Sequence, residues 1–148
     1  MENLPTSISF KIAYIDMPQF AILDPAPDLN NELSFNAQFS INAVAKDRVI
    51  QISVYMELTQ VDKRFVVIEV RNGFSIDENS WETLKKQHSK VIEFPKQTAT
   101  HFLVLAVGTL RGALFAKTQN TAFTRFPLPP LNISEIFKED IALDISET

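Results

Sequence analysis

Residues Phe94–Lys117, FPKQTATHFLVLAVGTLRGALFAK, decide the fold of this chain. Pro95 suits the first turn of a helix, where its missing N–H costs nothing and its φ is already set. From Gln97 to Lys117 there is no further proline, and a helix here runs about 21 residues, or about 31 Å. Its apolar residues do not form one stripe. Phe102, Leu105, Ala106, Thr109 and Ala113 follow one side, while Leu103, Val107, Leu110 and Leu114 follow another. A helix apolar on all sides must be covered on all sides. The rest of the chain is read for what covers it.

A membrane is one candidate. The stretch is long enough, but His101 and Arg111 lie inside it, and an arginine near the bilayer centre is costly. The opening MENLPTSISF has no basic region followed by an apolar block, so it does not read as a signal peptide. The expectation is a soluble cytoplasmic protein without membrane insertion. At 148 residues it reads as one domain, 1–148, able to form a core without a staple. No cysteine is present, which removes disulfides and thiol chemistry. A net charge of −4 disfavours extended contact with nucleic acid.

Strands are the other candidate cover. Residues 8–23 begin with Ile8, Phe10, Ile12 and Tyr14 alternating with Ser9, Lys11 and Ala13, which predicts a half-buried strand. Pro18 places that strand at an edge or at a bulge. After the loop DPAPDLNNE, residues 33–45 alternate again, with Leu33, Phe35, Ala37, Phe39, Ile41 and Ala43 on one side. Val49–Leu58 and Arg64–Asn72 follow after short polar turns. Together these predict a four-stranded antiparallel sheet, three of its strands in a meander, with one polar face toward water. Asp77–Lys90 reads as a short helix capped by Asn79 or Ser80. Beyond Lys117, Pro127, Pro129 and Pro130 stiffen a loop. Asn132 with Glu135 then reads as the cap of a C-terminal helix continuing through Ile133, Ile136, Phe137, Ile141 and Leu143. The fold class is α+β.

Catalytic chemistry finds little support. The only histidines are His88 and His101, and no ligand set converges on either, so no metal or other cofactor is expected. Residues 94–134 contain no acidic side chain. A helix clothed by an antiparallel sheet also describes hotdog-fold thioesterases, but these usually set a carboxylate on or near that helix. With three glycines in the chain, no phosphate loop exists.

Gly108 and Gly112 form a GxxxG in the long helix. Each costs roughly 1 kcal/mol relative to alanine, and close approach of another backbone is the natural return. Packing on the chain's own sheet and contact with a second subunit both satisfy it. One sheet covers one face of the helix, which favours the second, with Leu105, Gly108, Gly112 and Ala116 at the interface. Of the 12 phenylalanines most belong in a core, but Phe74, Phe123 and Phe126 sit at a strand exit or in loops. With Trp81 they are candidates for a sequence-tolerant binding surface.

Taken in order, these features resemble the SecB family of export chaperones. Phe126-Pro-Leu-Pro-Pro-Leu-Asn-Ile-Ser-Glu-Ile-Phe137 is similar to the family's segment after its long helix, matching at Leu128, Pro130, Leu131, Asn132, Ile136 and Phe137. The opening Phe10-Lys-Ile12, the strand ending Glu69-Val70 and the exit Gly73-Phe74-Ser75-Ile76 look like family features in the same order. The resemblance implies a homo-oligomer, dimer or tetramer, with long helices between sheets. It implies no enzymatic activity, and grooves that hold unfolded polypeptide clients. It further implies a handover to SecA through the polar sheet face, where Val67 and Glu69, and loosely Asp24, match. Two departures stand out. The segment from Phe94 to Thr121 is about three turns longer than the family's equivalent. The tail after Lys138 carries no Lys or Arg, which puts SecA in doubt as partner. Some SecB-like proteins instead serve toxin–antitoxin pairs. The expected function is that of an ATP-independent holdase; the alternatives are a hotdog-like thioesterase or an adaptor for one folded partner.

Overall fold

Four strands form one antiparallel sheet in the order β1-β4-β3-β2, built from β1 (Phe10–Ile22), β2 (Ser34–Val44), β3 (Val49–Gln60) and β4 (Lys63–Ile76). The structure is a computed structural model that describes residues 8–85, 90–126, 128 and 130–145. Residues outside these include His88, the end of the helix expected over 77–90, and Pro127 and Pro129. The alternation read in the sequence sets the two faces. Phe35, Leu58, Val66 and Ile22 stand in one cross-strand row, and Ala37, Met56, Ile68 and Phe20 in the next. Directly opposed residues share a face, so this is the inner side; Ile50, Ile52, Met56, Val66 and Ile68 on it are fully enclosed.

β1 departs from its simple alternation. Register shifts between Ile12 and Tyr14 and between Asp16 and Gln19 interrupt its pairing with β4. The second surrounds Pro18, as its missing N–H predicts. The first moves Tyr14, expected beside Ile12, to the outer face. There its ring lies over Gly73, where an added Cβ would stand 2.2 Å from Tyr14 Cε1. Its hydroxyl donates to Gln51 Oε1 at 2.5 Å.

Because β1 pairs with β4, the 23–33 connection must cross the end of the sheet to reach β2. Gln60 fastens it: the Asp28 N–H donates to Gln60 Oε1 at 2.8 Å, and Gln60 Nε2 donates to the carbonyls of Asp28 and Asn31. β3 turns into β4 through Val61 and Asp62, both with positive φ, the pair of conformations a two-residue hairpin requires.

Helix α1 (Glu78–Leu84) is capped by Asp77, whose carboxylate accepts from the Ser80 N–H, not by Asn79 or Ser80. The Ser80 hydroxyl instead accepts from the Ser9 N–H and ties α1 to the start of β1. β5 (Val91–Phe94) leads into α2 (Lys96–Lys117), the long helix, 22 residues in length.

The expected C-terminal helix is absent from the described residues. A turn at 134–136 is followed by β6 (Ile141–Asp144), antiparallel to β5 with Leu143 opposite Ile92. The physical reason is visible in Ile141-Ala-Leu-Asp-Ile145. Period-2 alternation there buries Leu143 against an available strand, whereas an isolated helix of this length is marginal. The pairing also sets the Asp140 carboxylate at the start of α2, accepting from the Lys96 N–H at 2.9 Å. A negative group there suits the helix dipole.

Candidate functional site

α2 has two unlike faces. Ala99, Phe102, Leu103, Ala106, Val107, Leu110 and Leu114 are buried. Both apolar sides read in the sequence are thereby largely covered by one sheet and its flanking segments. What remains open is a third face. His101, Val104, Gly108, Gly112, Phe115 and Ala116 are exposed along it, with Val104 at 47% and Phe115 at 69%. Leu105 is half-buried at its margin. An added Cβ at Gly108 or Gly112 meets nothing within 4 Å. Tight packing of these glycines on the chain's own sheet is therefore not what they serve. Val104 and Phe115 belong to the same face, and sequence reasoning missed them; their spacing from Gly108, four residues before and seven after, is the helical signal that marks them. α2 is long and apolar enough to cross a membrane by length and composition, but its buried face is committed to the sheet.

Where α2 ends, the chain folds back through a 3-10 turn at Ala122–Arg125. Between that turn, the last two turns of α2 and Leu58 of β3 lies a cavity of about 230 Å³. Leu114, Phe115, Phe123, Phe126 and Leu128 supply most of its wall, with Arg111 and two threonines as its polar groups. Arg111 Nη1 donates to the Leu128 carbonyl at 2.9 Å and holds the returning segment against the helix. Phe126 is shared with a second, more open cavity of about 630 Å³, lined by residues 29–33, Phe35 and Arg125. The two meet at one half-buried phenylalanine; the second also carries Asn30, Asn31, Glu32 and Arg125. No carboxylate lines the first cavity among the described residues, and no group of three or more His, Asp or Glu gathers anywhere among them.

The four aromatics picked from sequence divide. Phe123 and Phe126 stand at the cavity. Phe123 packs on Phe65, ring centroids 6.4 Å apart, and lines the cavity from within the core, only 3% exposed. Phe74 and Trp81 are core residues, a correction with a clear cause. β4 continues through Ile76 instead of ending at Asn72, so Phe74 lies within the sheet, opposite Ile50 and Ile12. Its ring stacks on Phe102 at 4.1 Å and meets Phe10 edge-on. Trp81, on the inner side of α1, is 2% exposed.

On the outer sheet face Val67 and Glu69 lie two residues apart on β4, Glu69 beside Tyr55 and Gln19. Gln19 Nε2 donates to Glu69 Oε1 at 3.5 Å. The Tyr55 hydroxyl donates to Glu57 at 2.6 Å, and this bond holds the phenol above its ordinary range. Burial does the same for Tyr14, reinforced by Asp16. Asp24 lies beyond the end of β1, paired with Lys63 and accepting from the Ala26 N–H. The lysine first, then that N–H, holds its carboxyl below the usual range.

Against known proteins, the sequence matches no family profile and no curated protein. In structure the chain is similar to a SecB-like chaperone of Mycobacterium tuberculosis, Rv1957, solved with a ChAD peptide from the Rv1956 HigA1 antitoxin. The identity is 17%, the TM-score 0.45, and the match covers 82% of this chain and 86% of that one.

Proposed function

We propose that this chain is the subunit of a homo-oligomeric, ATP-independent holdase that shelters apolar segments of non-native polypeptides. The observation that carries this reading is the open apolar surface around Phe126. Its part beside α2 is concave, lined mainly by phenylalanine and leucine, and without acidic groups among the described residues, while Glu32 lines its open part. Burial of apolar area is non-directional, so such a surface supplies affinity without demanding a sequence. The negative net charge keeps a loaded complex in solution.

The exposed face of α2 supports the oligomer. Its two glycines touch nothing in the subunit, and a second helix laid across them would cover Val104 and Phe115 as well. In this reading the protein is cytoplasmic and not an enzyme. Its clients are export substrates or the antitoxin of a toxin–antitoxin pair. Glu69 on the outer face and Asp24 beyond the end of β1 would meet SecA where export is the task, with Val67 buried beneath that face.

The test is suppression of aggregation of a chemically denatured client by the intact protein without nucleotide. Suppression at micromolar subunit concentration, weakened several-fold by Phe126→Ala, is the expected result. A protein that neither suppresses aggregation nor binds the client overturns the reading.

A further inference from the structure

Asn72-Gly73 is the one Asn-Gly step in the sequence. It lies in the interior of β4, an inner strand, with Tyr14 and Gln51 opposite Gly73 and with Ile15 and Ile52 opposite Asn72. The glycine is imposed from the outer face, where a Cβ would stand 2.2 Å from Tyr14 Cε1. The asparagine belongs to the inner face. It is fully enclosed there, and neither amide atom has a hydrogen-bond partner among the described residues. An Asn-Gly step is chemically vulnerable, because a glycine has no side chain to keep its nitrogen from the neighbouring amide carbon.

We propose that Asn72-Gly73 is a deamidation site closed by the fold, so that a chain left unfolded for long enough can no longer regain its structure. In the reaction the Gly73 backbone nitrogen forms a bond to Asn72 Cγ. Its proton passes to Nδ2, and the Cγ–Nδ2 bond breaks with loss of ammonia. Water then opens the cyclic imide at one of its two carbonyl carbons. Opening at Cγ leaves aspartate; opening at the backbone carbonyl leaves isoaspartate, whose main chain runs through Cβ. The sum is amide plus water to acid plus ammonia, with nothing oxidised or reduced.

Both steps are blocked while the sheet is closed. Attack requires the backbone at Asn72 to leave its extended conformation and Gly73 to free a nitrogen held between two paired strands. Hydrolysis requires water at a residue with no exposure. Unfolding removes these restraints together, and neither product fits back. Aspartate at position 72 would put an acid between Ile15 and Ile52, where even the neutral amide lacks a partner. Isoaspartate lengthens the main chain by one carbon, and from Gly73 onward β4 loses its register with β1 and β3 at once. Asn36 and Asn42 offer an internal contrast. Both are exposed on β2 and precede alanine, whose methyl group hinders the same attack. The site acts on the lifetime of the chain itself, whatever the protein binds.

The experiment begins with the full, unaltered chain. Samples at mildly alkaline pH are held with and without guanidinium chloride above the unfolding midpoint, digested with pepsin in acid, and mapped by mass spectrometry. Isoaspartate is read with an isoaspartyl methyltransferase. In denaturant, conversion at Asn72 should run ahead of Asn36 and Asn42. In the folded sample it should be slower by roughly a thousandfold or more, in step with the small unfolded fraction of a stable domain. After dilution from denaturant, the chains that regain the native circular dichroism should carry Asn72 unchanged, and the refolding yield should fall as conversion rises. Asn72→Leu should keep its initial yield through the same exposure. Three results overturn the proposal: equal conversion in folded and unfolded samples, chains that refold with the acid at position 72 (made in denaturant or by Asn72→Asp), or an Asn72→Leu yield that falls as fast as the parent's.

Discussion

The two faces of α2 are both apolar, yet only one has a partner within the chain. On the covered face Phe102 has ring contacts with Phe10, Phe74 and Phe94, and Ala106 and Leu110 are fully enclosed. On the open face Gly108 and Gly112 have space where a side chain would be. Both carry apolar residues, although the open face also bears His101 and two glycines. The difference lies in shape at the middle of the helix: Phe102, Leu103 and Leu110 interdigitate with the pleated sheet, whereas Gly108 and Gly112, between the larger Val104 and Phe115, leave room for another backbone to lie against it. An apolar residue type thus tells that a surface will be covered, and side-chain size tells by what.

The comparison can be broken at three points. Phe102→Ala removes the ring around which the covered face packs, and unfolding free energy should fall by about 3–5 kcal/mol in urea titrations. A loss below about 1 kcal/mol would mean that the helix is not held by this face. Asn72 tests how dry the covered side is. It stands on the inner face opposite Ile52, fully enclosed, and neither amide atom has a hydrogen-bond partner among the described residues. Asn72→Leu, which keeps the branching and number of side-chain heavy atoms, should therefore raise stability by about 1–3 kcal/mol; a fall in the urea midpoint would show that the amide is satisfied in solution or that the larger side chain does not fit. The smallest effect on the subunit belongs to the open face. Gly108→Leu should leave subunit stability unchanged or raise it by up to about 1 kcal/mol, since a helical glycine is replaced and nothing is displaced. Native mass spectrometry should nevertheless show the oligomer lost. An intact oligomer would place the subunit contact elsewhere.

Much of this architecture can be read from residue order. The alternation from Phe35 to Ala43 and from Ile50 to Met56 identifies β2, β3 and their buried side, and the proline-free run after Pro95 identifies α2. The GxxxG points to the face that the subunit leaves open. The readings that failed did so where a short apolar pattern fits two periods. Ile136, Phe137, Ile141 and Leu143 can be spaced as a helix, but Ile141, Leu143 and Ile145 alternate as a strand, and the presence of β5 decides between them. Phe74 read as a strand exit because Gly73 precedes it. That glycine is instead an interior strand position kept bare for the Tyr14 ring, a long-range cause with no local signature. Tyr14 changed faces for a similar reason, since a bulge is a property of the pair of strands. Of the candidate site, Phe123 and Phe126 were legible as apolar residues in a proline-rich loop. Arg111, Phe115 and Leu58 join them only through the fold.

The bond between Asp140 and the first turn of α2 has a consequence in time. The acceptor lies 44 residues downstream of the Lys96 N–H that it receives. During synthesis the sheet and the whole helix emerge before the strand that brings Asp140 into place. A nascent chain therefore passes through an interval in which its long apolar helix lacks its cap and β5 lacks its β6 partner. In that interval the chain is itself an unfinished polypeptide with apolar surface showing, the same kind of object its completed form is proposed to hold.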